Sequence, residues 1–137
     1  MKVLFLDIDG VVNCSATRQR FMGCWGIDPK LVAIVKDIIK KTGCKVVLSS
    51  SWRLDADFNA EARKKVCDFI DITPDNRGRS DRGCEVIAWL AKHKEVEAYA
   101  ILDDNSDFHN DQHLFRTDIL IGITPAIADK VIAHLNN

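Results

Sequence analysis

The sequence predicts an α/β fold in which helices cover both faces of a parallel sheet of about five strands. Two observations lead to this class. Short apolar segments alternate along the chain with segments whose apolar residues recur at helical spacing. Acidic or hydroxyl side chains directly follow three of the apolar segments. Parallel strands joined by helices end at the same edge of a sheet, so these polar side chains are expected to meet where such folds bind ligands.

The first half of the chain is expected to form two strands and two helices. Residues 3–6 are all apolar and predict a buried strand. Asp28 and Pro29 suit the N-cap and first position of a helix, whose apolar residues keep helical spacing until Gly43. The other two elements are a strand at 45–48 and a helix at 55–67.

The second half of the chain alternates in the same way. Its predicted elements are strands at 69–72, 99–102 and 114–121, a loop at 73–83, and helices at 84–94 and 125–135. The helix at 84–94 is expected to bury four side chains, those of Val86, Ile87, Trp89 and Leu90. Thr124 and Pro125 suit the N-cap and first position of the closing helix.

The composition is typical of a soluble globular domain, and we expect one domain over residues 1–137. Hydrophobic residues make up 47% and charged residues 28%, and the net charge of −1 gives no general attraction to nucleic acid or membrane. A local basic patch is possible at Arg77, Arg79 and Arg82. No signal peptide or membrane span is indicated. The five cysteines lack a C-x-x-C pair, which favours reduced thiols and a cytoplasmic location.

Two carboxylates separated by one residue, Asp7 and Asp9, follow the first strand, and Gly10 then allows an immediate turn. Close like charges raise each other's pKa and need compensation. A hard divalent cation supplies it, because Mg²⁺ is typically held by one or two carboxylates together with phosphate and water. The other polar strand ends carry Ser49 with Ser50, and Asp103 with Asp104. The sequence therefore predicts a metal-assisted phosphoryl-transfer site.

The ordered motifs resemble the haloacid dehalogenase (HAD) superfamily. They are Leu-Asp-Ile-Asp-Gly-Val-Val, a strand ending in serine, an arginine-led helix and a strand ending in Asp-Asp, and they extend over nearly the whole chain. Leu-Ser-Ser-Ser-Trp-Arg and Arg-Gly-Cys-Glu-Val-Ile-Ala-Trp-Leu look similar to the small HAD domains associated with RNA repair. The resemblance implies a Rossmann-like sheet of strand order 5-4-1-2-3. Because Asp9 is present, it also implies a phosphohydrolase rather than a dehalogenase.

The resemblance implies a role for each acidic residue of the motifs. Asp7 is the expected nucleophile, which forms an aspartyl-phosphate. Asp9 is expected to act as the acid for the leaving oxygen and then as the base for the hydrolytic water. The expected ligands of Mg²⁺ are the Asp7 carboxylate, the Asp9 backbone carbonyl and Asp104, with Asp103 in support.

Hydroxyl and basic residues complete the expected site. Ser49 is expected to bond a phosphoryl oxygen, with Ser50 as the alternative. Arg82 is the expected cation, in a place where the commonest family pattern has lysine, and a guanidinium can hold phosphate with two hydrogen bonds. The arginines that compete for this role are Arg53, Arg77 and Arg79. The candidates for substrate contacts are Gly10, Ser50 and Arg53, although Arg53 and Trp52 also suit a structural pair.

Short loops predict an open active site with a minimal cap or none. Fewer than twenty residues separate Gly10 from the first helix, too few for a cap domain. A large substrate can act as the lid of an open site, which favours a nucleic-acid phosphate end, with Trp25 and Trp52 available to stack on bases. Two alternatives stay open: a nucleotide or sugar-phosphate phosphatase whose lid comes from an oligomeric neighbour, and a non-catalytic phosphate- or metal-binding module.

Three polar residues near the last strand are open to two interpretations. His109 and His113 have the i, i+4 spacing of metal ligands, but no third ligand at suitable spacing is evident, and a solvated loop or helix face is favoured. Asp107 either replaces an outer metal ligand or caps the following turn.

Overall fold

The computed structural model describes residues 1–75 and 81–137. Within these ranges five strands form an all-parallel sheet, and two further strands form a small antiparallel hairpin. The strands are β1 (Lys2–Leu6), β2 (Arg20–Phe21), β3 (Cys24–Trp25), β4 (Lys45–Leu48), β5 (Asp71–Ile72), β6 (Ala98–Asp103) and β7 (Leu114–Arg116). The sheet order is β5-β4-β1-β6-β7. If the strands of this sheet are numbered 1 to 5 along the chain, the order read from the β7 edge is 5-4-1-2-3, as predicted. The α/β class is confirmed.

The helices begin and end at residues that satisfy their free backbone groups. Those of the described ranges are α1 (Pro29–Thr42), α2 (Ala56–Lys65), α3 (Arg82–Ala91) and α4 (Pro125–Leu135), with a 3₁₀ turn at Ser51–Leu54. Asp28 caps α1 by accepting a hydrogen bond from the amide of Lys30, and Thr124 caps α4 in the same way. Gly43 ends α1 in the left-handed conformation, with φ of 68°.

The core is built on both sides of β1, which lies at the centre of the sheet. Residues 3–6 are fully buried. Because side chains alternate across a strand, Leu4 and Leu6 face the cluster that α1, α2 and α4 supply. Phe5 points to the opposite face and packs edge-on against Trp89 of α3, with ring centroids 5.5 Å apart. Helices therefore cover both faces, as predicted.

The hydrogen-bond ladder continues past the strand ends and fixes the polar residues at one edge. The amide of Asp7 donates to the carbonyl of Leu102 at 3.0 Å, and the amide of Ser49 donates to the carbonyl of Leu6 at 2.9 Å. Asp103 is the last residue of β6 on the other side of β1. The acidic and serine strand ends thus meet at the carboxyl edge of the sheet, as predicted.

Helix α3 begins two residues earlier than predicted, because Asp81 caps it by accepting a hydrogen bond from the amide of Cys84 at 2.8 Å. It ends at Ala91 instead of residue 94. The predicted burial of Ile87 is wrong, since 46% of the residue is exposed, whereas Val86 and Trp89 are buried as predicted and Leu90 is partly buried.

The last strand is shorter than predicted. β7 ends at Arg116, and residues 119–121 form an exposed turn in place of the expected strand. Asp118 closes this turn, because its carbonyl accepts the amide hydrogen of Gly122 and its carboxylate accepts that of Leu120. Local hydrogen bonds from one aspartate therefore outweigh the strand preference of three apolar residues. Other boundaries differ from the prediction by no more than two residues.

The connection from β1 to α1 carries the hairpin of β2 and β3 and, within the described residues, no other cap element. This agrees with the expectation of a minimal cap. None of the described helices has the length and apolar character needed to cross a membrane.

Candidate functional site

Three carboxylates form a cluster at the carboxyl edge of the sheet. Asp7 follows β1, Asp103 ends β6 and Asp104 comes next in the chain. One oxygen from each of the three lies within 4.8 Å of the others. Asp7 is 3% exposed and Asp103 is fully buried, so water gives their charges little relief. We call these three residues the carboxylate cluster.

Arg82 enters the carboxylate cluster from the first turn of α3. Its Nη1 atom lies 2.8 Å from Oδ2 of Asp103 and 3.3 Å from Oδ1 of Asp7. The start of α3 is fixed in turn by Asp107, whose carboxylate accepts the amide hydrogen of Arg82 and whose carbonyl accepts that of Gly83. The structure therefore gives Asp107 a contact with the start of α3, which differs from both functions considered for it, an outer metal ligand and a cap of the turn that follows it.

The electrostatics of the carboxylate cluster are unfavourable without a further cation. Burial, followed by the charge of Asp103, raises the pKa of Asp7 well above its ordinary value, although Arg82 lowers it. Burial also raises the pKa of Asp103. Burial by itself would lower the pKa of Arg82, but the charges of Asp7 and Asp103 raise it overall. When all three carboxylates are ionised, they and the one guanidinium have a net charge of about −2, which a divalent cation would offset.

The Asp9 side chain is held beside the carboxylate cluster and is not one of its members. Its Oδ1 accepts a hydrogen bond from Nδ2 of Asn13 at 2.9 Å, and its Oδ2 accepts one from Nε1 of Trp52 at 3.2 Å. The side chains of Asp7 and Asp9 separate because β1 ends at Leu6 and the chain turns. Two cavities, of about 300 and 480 Å³, open beside the Asp9 carboxylate. Metal binding by the Asp9 carbonyl stays a prediction.

The two candidate serines have different environments. Ser50 Oγ accepts a hydrogen bond from the amide of Trp52 and caps the 3₁₀ turn. Ser49 Oγ is buried and has no hydrogen-bond partner among the described residues. A buried hydroxyl without a partner is costly, and a phosphoryl oxygen would satisfy it. The structure therefore favours Ser49 over Ser50 as the phosphate contact.

Gly10 shapes the site through its lack of a side chain. Its φ is +83°, and a Cβ at this position would lie 2.6 Å from Cγ of Asp104. Its amide donates to Oδ1 of Asn13, and its carbonyl accepts from the hydroxyl of Thr117. Because both backbone groups are used within the protein, Gly10 is placed to let Asp104 approach, and these contacts give no support to its predicted contact with substrate.

Arg53 faces the protein interior and not the carboxylate cluster. It is 8% exposed, and its guanidinium donates to the carbonyls of Ser50, Thr73 and Pro74. It also lies 3.1 Å from the carboxylate of Glu85 on α3. These contacts favour the structural alternative for Arg53 over a substrate contact. Of the other competing arginines, Arg77 and Arg79 lie outside the described residues.

Sequence reasoning missed Asn13 and Thr117, which position the loop after β1. Asn13 is fully buried and bridges Asp9, Gly10 and the carbonyl of Gly26. The available signal was an asparagine directly after the apolar pair at 11–12, where a buried polar side chain needs partners. Thr117 carries no comparable signal, because its contact with Gly10 joins residues 107 positions apart.

The histidines are also placed differently from each other. His113 packs against the rings of Tyr99 and His134, at the amino-terminal end of β6. His109 lies instead next to Asp81 and Cys84 at the start of α3, two residues with metal-ligating chemistry, and His113 is not part of this group. They were not evident in the sequence because they come from a different element.

One comparison with known proteins gives a match. The model of a family described as the HAD domain in Swiss Army Knife RNA repair proteins matches residues 3–128. No curated protein and no solved structure matches the chain significantly.

Proposed function

Because the chain belongs to the family of HAD domains in Swiss Army Knife RNA repair proteins and is therefore a HAD-type hydrolase, we propose that it removes phosphate from the end of a nucleic acid. The observation that carries this proposal is the carboxylate cluster with Arg82 bound to two of its members. The buried Ser49 hydroxyl, which has no partner within the described residues, supports the same function.

In the first proposed step, a carboxylate oxygen of Asp7 attacks the phosphorus atom. The bond from phosphorus to the leaving oxygen breaks, and Asp9 donates a proton to that oxygen. The hydrogen bonds from Asn13 and Trp52 hold the Asp9 carboxyl group in place for this transfer. In the second step, Asp9 accepts a proton from water, which attacks the phosphorus and releases phosphate from Asp7.

Arg82 and Ser49 act on the charge of the transferred phosphoryl group. The guanidinium of Arg82 already contacts the oxygen atoms of Asp7 and Asp103, and it can donate further hydrogen bonds to phosphoryl oxygens. The Ser49 hydroxyl is buried at the neighbouring strand end, where it can donate another.

The carboxylate cluster suits Mg²⁺, because three carboxylates lie together and the charge of Asp103 raises the pKa of Asp7 beyond the effect of burial. Asp7, Asp104 and the Asp9 carbonyl would hold the ion, with Asp103 in support. A bound Mg²⁺ would reduce the repulsion between the attacking carboxylate and the phosphate.

The surroundings of Asp9 support a macromolecular substrate. Trp25 and Arg20 of the hairpin line one of the two cavities beside it. Trp52 lines the other, but it is 4% exposed and stacks on Phe21, so the structure does not support the prediction that it stacks on a base, and Trp25 is the candidate that remains. Aromatic faces stack on bases, and an arginine attracts the phosphate backbone. The family description, which concerns RNA repair, favours the same substrate class.

The test is a phosphate-release assay with Mg²⁺ on phosphorylated oligonucleotide ends, nucleotides, sugar phosphates and phosphopeptides. We expect release from a 3′-phosphorylated oligonucleotide and a loss on the order of a thousandfold or more in Asp7→Asn. Asp37→Asn is the matched control, because Asp37 pairs with Lys41 on the surface of α1. Release from sugar phosphates or nucleotides alone would contradict the nucleic-acid substrate, and no release from any compound would favour a non-catalytic binding module.

A further inference from the structure

A second group of metal-ligating side chains lies around the start of α3, close to Arg82 in the chain. Asp81 is the N-cap of α3, Cys84 lies in its first turn, and His109 comes from the loop between β6 and β7. One ligand atom from each lies within 4.8 Å of the others. None of the three belongs to the carboxylate cluster or takes part in the proposed reaction. We call them the Asp-Cys-His cluster.

The distances within the Asp-Cys-His cluster agree with those of a tetrahedral site. Nε2 of His109 lies 3.6 Å from Sγ of Cys84 and 3.4 Å from Oδ1 of Asp81. Sulfur and nitrogen atoms bound to Zn²⁺ at about 2.3 and 2.0 Å are about 3.5 Å apart at a tetrahedral angle. Three protein ligands leave one position for water, and the Asp81 and His109 side chains are 35% and 38% exposed.

Contacts outside the Asp-Cys-His cluster hold its two halves together. The side-chain amide of Gln112 donates to the carbonyl of Gly83 at 2.9 Å and accepts the amide hydrogen of His109 at 2.8 Å. The amide of Gly83 donates to the carbonyl of Asp107. A Cβ on Gly83 would lie 2.9 Å from Cδ2 of His109, so the absence of a side chain allows this close approach. The two backbone segments that carry the three ligands are therefore held together by hydrogen bonds that need no ion.

A catalytic relay is a poorer interpretation of the same residues. A cysteine activated through a histidine needs the thiol at one ring nitrogen and the orienting carboxylate at the other. Here Cys84 and Asp81 both face Nε2 of His109. Convergence of three ligand atoms on one point is the arrangement of a metal site.

We propose that Asp81, Cys84 and His109 form a second metal site, which binds a borderline-soft divalent cation such as Zn²⁺. The thiolate and imidazole ligands favour such an ion over Mg²⁺, which prefers oxygen ligands. The ion would join the first turn of α3, which carries Arg82, to the loop that follows Asp104. It would thereby hold Arg82 in position relative to the carboxylate cluster.

The test is the absorption spectrum of the full chain titrated with Co²⁺ in place of Zn²⁺. Co²⁺ bound by a thiolate shows a charge-transfer band that Co²⁺ bound by oxygen ligands lacks, so the band reports on Cys84 and not on the carboxylate cluster. We expect the band in the wild-type protein, its loss in Cys84→Ser, and its retention in Cys24→Ser, whose cysteine is the exposed one.

A second measurement uses histidine variants and Zn²⁺ itself. In competition with a chromophoric chelator, His109→Ala is expected to weaken Zn²⁺ binding by about 100-fold or more, whereas His113→Ala leaves it unchanged. Circular dichroism checks that each variant is folded. If Cys84→Ser does not fold, His109→Ala still tests the proposal. The proposal is contradicted by absence of the cobalt band, by its survival in Cys84→Ser, or by equal zinc binding in the two histidine variants. The band should persist in Asp7→Asn, which separates this site from the proposed phosphatase activity.

Discussion

The Asp7 carboxylate is buried beside that of Asp103, and one arginine, Arg82, contacts both. The raised pKa of Asp7 means that the folded protein holds a proton there more readily than the unfolded chain does. Stability is therefore lost as pH rises from the ordinary aspartate pKa through the raised pKa of Asp7. A residue that the proposed reaction requires is thus unfavourable for the fold when no metal is bound.

From this we predict that Asp7→Asn stabilises the chelated protein at neutral pH while it abolishes activity. An amide carries no charge to bury, and Arg82 keeps its contact with Asp103, so we expect a gain of about 1 kcal/mol in the free energy of unfolding. Urea unfolding in a chelator, from about pH 4 upwards, measures this gain. A variant less stable than the wild type across that range would contradict this account of the cluster.

Gly10 gives a second prediction at the residue scale. Gly10→Ala is expected to reduce activity on the order of 100-fold, because the new methyl group displaces Asp104. Gly43→Ala is the matched control: Gly43 also has a positive φ, but nothing lies within 4 Å of a Cβ there. It should cost about 1 kcal/mol of stability and leave kcat unchanged. Equal activity losses in both variants would show that backbone strain, and not the contact with Asp104, is responsible.

At the scale of elements, the Arg53 guanidinium ties three segments together. It bonds the carbonyls at the end of β4 and after β5, and it pairs with Glu85 of α3. We predict that Arg53→Ala and Glu85→Ala each destabilise the protein by about 3–5 kcal/mol, since either change leaves a buried charge with fewer partners. The double variant should lose less than the sum of the two. Urea unfolding measures all three. A raised KM with unchanged stability in Arg53→Ala would instead indicate a substrate contact.

The elements also show what could be predicted from the sequence. Strands β1, β4 and β6 were recognised because each apolar run is followed directly by polar residues, and that junction also located Asp7, Ser49 and Asp103. The residues at 119–121 misled because their apolar pattern resembles a strand, while the hydrogen bonds of Asp118 that bend them are local to one turn.

Residue patterns alone did not decide which arginine contacts the carboxylate cluster, and only the family resemblance favoured Arg82. Arg53 and Arg82 both follow polar segments near a predicted helix, and their distance from the carboxylate cluster depends on how the elements pack. The signal that was available is Asp81, whose capping of α3 places Arg82 in the first turn and aims it at the strand ends. A similar limit hid the Asp-Cys-His cluster, since α3 and the loop after β6 supply its members.

At the scale of the whole molecule, the hairpin of β2 and β3 lines a cavity beside Asp9. We predict that Trp25→Ala raises KM for a phosphorylated oligonucleotide by about tenfold, because a stacking surface for a base is lost. The kcat value and the activity on p-nitrophenyl phosphate should stay the same, since that small substrate spans no second base. Steady-state kinetics on the two substrates makes the comparison. Equal losses on both would argue that Trp25 supports the hairpin and not the substrate.

The central claim is that Asp7 becomes phosphorylated during turnover. Its most direct test is the reaction of Asp9→Asn with p-nitrophenyl phosphate. Phosphorylation of Asp7 can proceed in this variant, because nitrophenolate is a good leaving group that needs no proton from the enzyme. Hydrolysis of the aspartyl-phosphate is slowed, because the variant lacks the base that activates water. We predict a burst of about one nitrophenolate per protein. Borohydride treatment of the acid-quenched mixture should then convert Asp7 to homoserine, identified by peptide mass spectrometry. Turnover without a burst and with an unmodified Asp7 would contradict the claim.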